Sequence, residues 1–422
     1  IFMFKNMTQK WLANLARSII AKHQPKIIGI TGSVGKTSTR DAIYAVVSTA
    51  FSARVGKKNF NNELGLPFTV LGADSPGRNP LKWLLVFLKG YWTLYIGSFP
   101  KILILEMGVD KPGDMEYLLS IAKPDIAVLT NIGISHYEFF QSAEAVAEEK
   151  SKLLTALLEN GVAILNQDNE IVMKQVSKAP GKVITYGFHE QSNVRVNIVE
   201  EKLSPPASTK IRVHTNFSEF DVEVNAIGKP HITSCAAGIA VGLNLNVPVE
   251  HIRNGLKKYK PALGRLNVIS GIKQTIILDD SYNASPASVK EALAVLARVP
   301  QQKKMVVLGD MLELGDLSRQ SHEQIGKMVA SMDPTRFVAV GQISKVMMDA
   351  AISNGFDDNK ANWFETSDEA KDFVRDNLIS ESAILIKGSQ SMRMEKISKE
   401  LLIEPGAAPQ LLPRQYGKWL VN

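Results

Sequence analysis

Cysteine is almost absent: the 422 residues contain one, Cys235. A lone cysteine excludes an internal disulfide framework, and with no Cys/His cluster at ligand spacing it excludes a structural zinc site. A reducing compartment fits, so the cytoplasm is the expected location. No apolar core followed by a small-residue cleavage site marks a secretory leader in the N-terminal stretch that carries Lys5 and Lys10. The chain begins at Ile1 rather than Met, so its start is expected to be missing or unusual. There is no internal repeat and no low-complexity tract. The 49 Lys and Arg residues are dispersed and no nucleic-acid motif accompanies them, so DNA and RNA are not expected partners. No Ser, Cys or His constellation suited to nucleophilic catalysis stands out.

What is present begins with size and charge. A chain of this length exceeds one core and predicts two or three domains. The net charge of +7 suits anions: nucleotides, an acidic substrate or an anionic membrane surface. The most informative stretch is Gly29-Ile-Thr-Gly-Ser-Val-Gly-Lys-Thr-Ser-Thr39. It follows the apolar run of Ile27, Ile28 and Ile30 and precedes a segment of helical composition from Asp41. Strand, glycine-rich turn and helix together form the setting of a phosphate-binding loop. Backbone N–H groups from Gly32 to Lys36 would cradle an oxyanion at a helix N-terminus. Lys36 would reach the terminal phosphates and the Thr37 hydroxyl a Mg²⁺ ion. The candidate nucleotide-binding residues are Thr31, Gly32, Ser33, Gly35, Lys36, Thr37 and Ser38. The spacing is Thr-Gly-x-x-Gly-Lys-Thr, with Ile30 where the strict motif has its first glycine.

Along the chain, apolar residues at 11, 12, 15, 19 and 20 predict an amphipathic helix over 7–22, ended by Pro25. The loop Val55–Phe68, rich in Asn and Gly, reads equally as a ligand-facing loop or a plain turn. Residues 81–99 are apolar and aromatic, with Leu84, Phe87, Leu88, Tyr91, Trp92 and Tyr95 on one helical face. Lys89 and Gly90 interrupt the run, which argues against a membrane span. Packing against a neighbouring sheet is the favoured reading, and an interfacial helix touching a membrane or a partner is the other. Strand 101–106 ends in Glu106, where a metal ligand would sit at the carboxyl end of a parallel strand. Strand 125–130 leads into Asn131-Ile-Gly-Ile-Ser-His136, and a charged helix follows from Ser142 to Leu158. Residues 160–230 read as β-rich rather than as further βα units. A tightly packed helix is expected over 232–243, a linker over 255–264, and an irregular tail beyond Pro405. Between linker and tail, strands alternate with helices. The fold class is α/β: a P-loop-type central domain with a mostly parallel sheet plus a β-rich section, then a Rossmann-like doubly wound C-terminal domain.

Taken in order, the motifs resemble the Mur ligase family, in its type that joins D-alanyl-D-alanine to a UDP-N-acetylmuramoyl tripeptide. The resemblance runs from about Lys26 to Leu402. Its carriers are Thr31-Gly-Ser-Val-Gly-Lys-Thr37, Asn59-Phe-Asn-Asn-Glu-Leu-Gly-Leu-Pro67, Glu106-Met-Gly, Asn131-Ile-Gly-Ile-Ser-His136 and Lys150. The second half adds Gly264-Arg265, Asp279-Asp-Ser-Tyr-Asn-Ala-Ser-Pro286, Leu308-Gly-Asp-Met-Leu-Glu-Leu-Gly315 and Lys387-Gly-Ser-Gln-Ser-Met-Arg-Met-Glu395. The family uses ATP to activate a carboxylate as an acyl phosphate, which an amine then opens; it needs charge neutralisation and positioning rather than a protein nucleophile. The resemblance implies Lys36 on the β/γ-phosphates, Thr37 and Glu106 on one Mg²⁺, and His136 at a second. Lys150 matches the lysine that becomes a carbamylated metal ligand. Arg265, Asp280 and Asn283 would contact the nucleotide, with Asp280 on the ribose. Asn61 and Asn62 would face the substrate, and Lys387 and Ser389 the incoming amino acid or dipeptide.

The implied domains are an N-terminal helix in residues 1–25, a central ATP-binding domain over 26–262 and a C-terminal domain over 263–422. Small-molecule substrates, two Mg²⁺ ions and a monomer are implied. Two departures follow. Only 28 residues precede Gly29, where this type carries a whole domain for the UDP moiety. Either the substrate is held differently, the chain is truncated, or the acid is not a UDP-sugar. The family's His-Asn and Asn-Ala pairs read here as Pro230-His231 and Ser234-Cys235, so Ser234 stands in place of the asparagine assigned to adenine. Two alternatives stay open beside the leading reading: a Mur-like amide ligase with a different acid substrate, and a nucleotide-binding scaffold without ligase activity.

Overall fold

The computed structural model describes residues 2–56, 60–77, 79–133, 140 and 142–420, with backbone alone for 2–6, 418 and 420. Two compact units are present: residues 1–198, 211–224 and 231–259 form the first, and 199–210, 225–230 and 260–422 the second.

The strands of the first sheet are β1 (Lys26–Thr31), β2 (Ala53–Val55), β3 (Ile102–Glu106), β4 (Ile126–Leu129), β5 (Val162–Asn166), β6 (Lys182–Gly187), β7 (Val194–Lys202), β8 (Ser208–Thr215) and β9 (Glu219–Val224). They order as β2-β3-β1-β4-β5-β6-β7-β8-β9, and the pairs from β2 to β7 are parallel. Every residue of β3 and β4 is buried, the mark of strands covered on both faces. The chain passes from β1 to β2 on one side and later to β4 on the other, so the carboxyl end of β1 lies at a topological switch point, where parallel sheets gather ligands. Register sets the neighbours there: Ile30 is opposite Glu106 and Thr31 opposite Leu129.

The expectation of a purely β-rich stretch over 160–230 is corrected in part. β5 and β6 extend the parallel sheet, with helix Glu170–Met173 between them. The near-continuous burial of Val162–Asn166 is a parallel-strand signature. β8 and β9 alternate buried with more exposed positions, as one-sided strands do. The expected linker also shrinks. Helix Val249–Lys257 takes its first residues, and Gly255 meets α2 (Lys36–Val47) so closely that a Cβ would lie 2.3 Å from the Ala45 carbonyl oxygen.

The predicted N-terminal helix is α1 (Phe2–His23). Leu12, Leu15 and Ile19 are buried as its period requires, but Trp11 is 59% exposed. The apolar stretch forms α4 (Pro80–Tyr95), capped by Asn79, whose Oδ1 accepts from the N–H groups of Leu81 and Lys82 at 3.0 and 3.2 Å. Here the favoured reading fails. The residues that α4 buries are Val86, Gly90 and Thr93. Leu84, Leu88, Tyr91, Trp92 and Tyr95 face outward instead. The reason is closeness of approach: a Cβ on Gly90 would lie 2.4 Å from Leu15 Cδ2, so the small-residue side is the one α1 accepts. Among the described residues no helix is long and apolar enough to cross a membrane.

In the second unit β10 (Asn267–Ser270), β11 (Ile276–Asp280), β12 (Lys304–Gly309), β13 (Arg336–Val340), β14 (Ala361–Phe364) and β15 (Ala383–Lys387) order as β10-β11-β15-β12-β13-β14, all parallel except edge strand β10. The tail expected to be irregular is held down. Leu402, Ala408 and Leu412 join the core, and Arg414 donates to Glu395 Oε2 and to the Ser281 carbonyl, both at 2.6 Å.

Asp279 in β11 is fully buried, and its Oδ1 accepts from the Ser398 hydroxyl at 2.6 Å. Burial pushes its carboxyl up from 3.8 to about 7, opposed by the hydrogen bond from Ser398 and helped by the charges of Asp280 and Glu395. The folded state therefore binds this proton more tightly than the unfolded chain. The resulting stability is complete below the unfolded value and lost as pH rises through about 7. Urea unfolding at pH 5 and pH 8 tests this: the wild type should lose on the order of a few kcal/mol more between the two than Asp279→Asn does. Equal losses would remove Asp279 from the pH response.

Candidate functional site

The loop after β1 is built by glycines in conformations closed to other residues. Gly32 has φ 154° and Gly35 φ 89°, and a Cβ at Gly32 would lie 2.0 Å from the Thr130 hydroxyl oxygen. The segment after β4 pins the loop from the side: the Ser33 N–H donates to the Asn131 carbonyl at 2.6 Å and Thr130 Oγ1 to the Val34 carbonyl at 2.7 Å. Thr31 Oγ1 donates to the Met107 carbonyl at 2.8 Å, and Ser38 is buried on the first turn of α2. No side chain caps the N-terminus of α2. Its first N–H groups thus remain for a ligand, as in other phosphate-binding loops. Lys36 folds back over the loop, its Nζ donating to the carbonyls of Gly32 and Ser33 at 2.7 and 3.2 Å.

Glu106, 4% exposed, is the centre of the neighbouring cluster. The Thr37 hydroxyl lies 3.2 Å from both of its carboxylate oxygens, Asn61 Nδ2 donates to Oε1 at 3.2 Å, and Arg40 Nη1 pairs with Oε2 at 3.1 Å. Thr37 and Glu106, expected to share a cation, are therefore adjacent, and both offer the hard oxygen donors that Mg²⁺ takes. Among the described residues no three His, Cys, Asp or Glu side chains come together as a metal site. A cation here would complete its shell with phosphate oxygens and water, as Mg²⁺ does. The two asparagines of the preceding loop part ways. Asn61 faces Glu106, whereas Asn62 Oδ1 accepts from the Gly65 N–H at 2.9 Å and supports the start of α3 (Gly65–Leu71). Arg40 was missed in the sequence. The available signal was helical spacing: it follows Thr37 by three positions, on the same face of α2.

Lys150 sits in α6 (Ala143–Thr155), 1% exposed. Burial first, and then the charge of Lys36, push its amine down to about 7, against the opposing fields of Asp110, Glu149 and Asp114. Glu149 is committed elsewhere, accepting from the N–H groups of Gly113 and Met115 at 3.0 Å and pairing with Lys152 at 2.7 Å. The solvated-helix pattern of residues 142–158 concealed this burial. His136 lies outside the described residues.

In the second unit Asp280, at the end of β11, is opposite Lys387, at the end of β15. Their charged groups lie 2.6 Å apart, Asp280 Oδ1 accepts from the Leu266 N–H at 3.1 Å, and Lys387 Nζ donates to the Asn283 carbonyl at 2.9 Å. Arg265 stacks on Tyr282 at 4.3 Å. Arg265, Asp280, Asn283 and Lys387 are thus brought together, and burial lowers the amine of Lys387 although Asp280 opposes this. Ser389 is buried nearby in the chain, its Oγ accepting from the Leu312 N–H at 2.8 Å. Ser234 is buried on helix Lys229–Asn244, on the side toward the loop: a Cβ on Gly35 would lie 4.0 Å from its Oγ.

Comparison with known proteins gives a consistent picture. Residues 88–242 match the profile of the Mur ligase middle domain, and residues 264–390 match the Mur ligase, glutamate ligase domain. The chain is 30% identical over 395 residues to the UDP-N-acetylmuramoyl-tripeptide–D-alanyl-D-alanine ligase of Bacillus subtilis, covering 93% of this chain and 79% of that one. Among solved structures it superposes on MurF from Acinetobacter baumannii with a TM-score of 0.78 at 28% identity, covering 94% of this chain and 81% of that one. The MurF ligase of Thermotoga maritima, solved in complex with ADP, gives a TM-score of 0.77 at 26% identity, with 93% and 83% covered.

Removing the cation beside a buried carboxylate leaves an uncompensated charge. Arg40→Ala should therefore lower the unfolding free energy by about 3 kcal/mol, read by urea titration. The double variant Arg40→Met/Glu106→Gln should cost less than the two single changes together. A loss under about 0.5 kcal/mol for Arg40→Ala, the range of ordinary surface changes, would show that Glu106 does not depend on this pair.

Proposed function

The chain belongs to the Mur ligase family, and we propose that it is an ATP-dependent, ADP-forming amide ligase that adds D-alanyl-D-alanine to a UDP-N-acetylmuramoyl tripeptide in peptidoglycan precursor synthesis. The observation that carries this reading is the pairing of a Thr-Gly-x-x-Gly-Lys-Thr loop with the Thr37–Glu106 contact at 3.2 Å, in a chain 30% identical to such a ligase over 93% of its length. Residues 26–262 would form the ATP-binding domain and 263–422 the C-terminal domain.

In this reading the substrate carboxylate attacks the γ-phosphorus of ATP. An acyl phosphate forms as ADP leaves. The amine then adds to the acyl carbon, and the tetrahedral intermediate collapses to amide and phosphate. The loop N–H groups and Lys36 hold the phosphates in line, which is most of what phosphoryl transfer asks of a protein. Thr37 and Glu106 would hold one Mg²⁺, and Lys150, as its carbamate, with His136 would serve a second. The ions supply neutralisation of charge on the transferring phosphoryl group. Lys150 is suited to carbamylation because only a neutral amine adds CO₂, and burial leaves about half of it neutral near pH 7. Arg265, Asp280 and Asn283 would meet the nucleotide, with Lys387 fixing Asp280, and Ser389 would lie toward the amine substrate. Asn61 would orient the carboxylate side of the reaction through Glu106. The protein would act as a monomer in the cytoplasm, a reducing compartment that suits its single cysteine. Its outward apolar helix face would be its contact with a membrane or partner.

Phosphate release tests the substrate pair directly. ATP, UDP-N-acetylmuramoyl tripeptide and D-alanyl-D-alanine together should yield one phosphate per amide, and omission of either acceptor should stop turnover. No phosphate with this pair would reject the assignment. Lys150→Ala should lose about 10²-fold or more in kcat and regain part of it with formate or acetate, whose carboxylate takes the place of the carbamate. Unchanged turnover would remove Lys150 from the chemistry.

A further inference from the structure

The side of α4 turned away from the protein is the apolar one. Leu81, Leu84, Leu85, Leu88, Tyr91, Trp92, Tyr95 and Ile96 are each between 47% and 77% exposed. Their spacing of three and four residues makes one continuous stripe about four turns long, opposite Val86, Gly90 and Thr93. Trp11 of α1, 59% exposed, meets Phe87 edge-on at 5.6 Å and widens the stripe across the two helices. The pair is rigidly joined: His23 Nε2 is 2.9 Å from the Thr93 carbonyl and Lys22 Nζ donates to the Tyr95 carbonyl at 3.2 Å. Single exposed leucines need no explanation, but a contiguous patch of this breadth does.

Charge indicates what covers it. No Asp or Glu occurs before Asp41, and none between Asp74 and Glu106. Both helices therefore carry only basic charges, among them Lys10 and Arg17 on α1 and Lys82 and Lys89 on α4, with Lys10 and Lys82 exposed. Leucines at the centre, Trp and Tyr among them, and lysines at the margin are the composition of a helix lying at the boundary between headgroups and acyl chains. A protein partner would have to match the same patch with an acidic rim, whereas an anionic bilayer offers apolar depth and negative charge together. We infer that the α1–α4 face binds the surface of an anionic phospholipid bilayer, with α4 lying in the plane of the interface. Lysine stems reach back to the headgroups while the leucines and aromatic rings enter the acyl boundary.

None of these residues is among those assigned to the ligase chemistry, so vesicle binding and turnover are read separately. The full chain is floated with vesicles of phosphatidylcholine containing 30% phosphatidylglycerol and with vesicles of phosphatidylcholine alone. The wild type should float with the anionic vesicles, less so at high salt, and much less with the neutral ones. Leu84→Glu/Leu88→Glu should lower partitioning about tenfold or more, and Lys10→Glu/Lys82→Glu should lower it by a similar factor. Both variants change exposed side chains, so thermal unfolding and phosphate release in solution should stay at wild-type values. Failure of the wild type to float overturns the proposal, as does undiminished floating of Leu84→Glu/Leu88→Glu. Sedimentation equilibrium without lipid decides the remaining case. A wild-type dimer that this substitution dissolves would assign the face to a second copy and overturn the lipid assignment.

Discussion

One buried carboxylate organises the first unit. Glu106 ends β3 inside the protein, and a carboxylate with 4% exposure is tolerable only if its neighbours replace the water it has lost. Two segments supply them: α2 with Thr37 and Arg40, and the loop before α3 with Asn61. The parallel register that sets Ile30 beside Glu106 is what brings the phosphate-type loop to the same place. The loop, the helix it opens and the asparagine segment are thus fixed by a single electrostatic requirement. An Arg–carboxylate pair in a low-dielectric setting is costly to break but adds little net stability over apolar packing.

Two buried lysines show how differently burial acts according to what stands beside the amine. Lys387 ends β15 with Asp280 at 2.6 Å and the Asn283 carbonyl at 2.9 Å, so two acceptors hold its amine in place. Lys150 is as deeply buried, yet its acidic neighbours act through their fields, and Glu149 spends its oxygens on the backbone of α5 (Asp114–Ile121), its approach and Lys152. Its amine is consequently near neutrality. Burial lowers both amines; at Lys387 a carboxylate at hydrogen-bond distance opposes it, whereas the acidic groups around Lys150 oppose it through their fields.

Much of this was legible in the chain because local chemistry and global fold agree. Strand, glycine turn and helix over residues 26–47 could be read directly, since Gly32 and Gly35 occupy backbone conformations that few other residues adopt. Glu106 was readable as a strand-end carboxylate. What was not readable depended on partners distant in sequence. Arg40 acquires its role only when β3 is laid beside β1. Asn61 and Asn62 are chemically identical, and only the fold sends one to Glu106 and the other to the Gly65 N–H. Lys150 sits in a helix of alternating charge, a pattern that describes a solvated face equally well until α5 and its approach close over it. Four-residue strands such as β10 and β14 carry too few side chains for a period to emerge.

The misreading of α4 has the most general cause. A helical period reports that a helix has two different faces, and convention assigns the apolar one to the core. That convention assumes the protein's own core is the best refuge for apolar surface. In α4 the competing term is backbone proximity: Gly90 and Thr93 let α1 approach until Leu15 touches the helix, which the bulky face could not allow. Close contact between small residues gains dispersion energy over many atoms. The bulky face then remains in solvent, at a cost the isolated protein does not recover. Such an arrangement is economical only where something outside the chain takes up that surface. The absence of acidic residues from both helices favours a surface of opposite charge, so the inward and outward faces of one helix obey a single rule, each matched to the neighbour that can reach it.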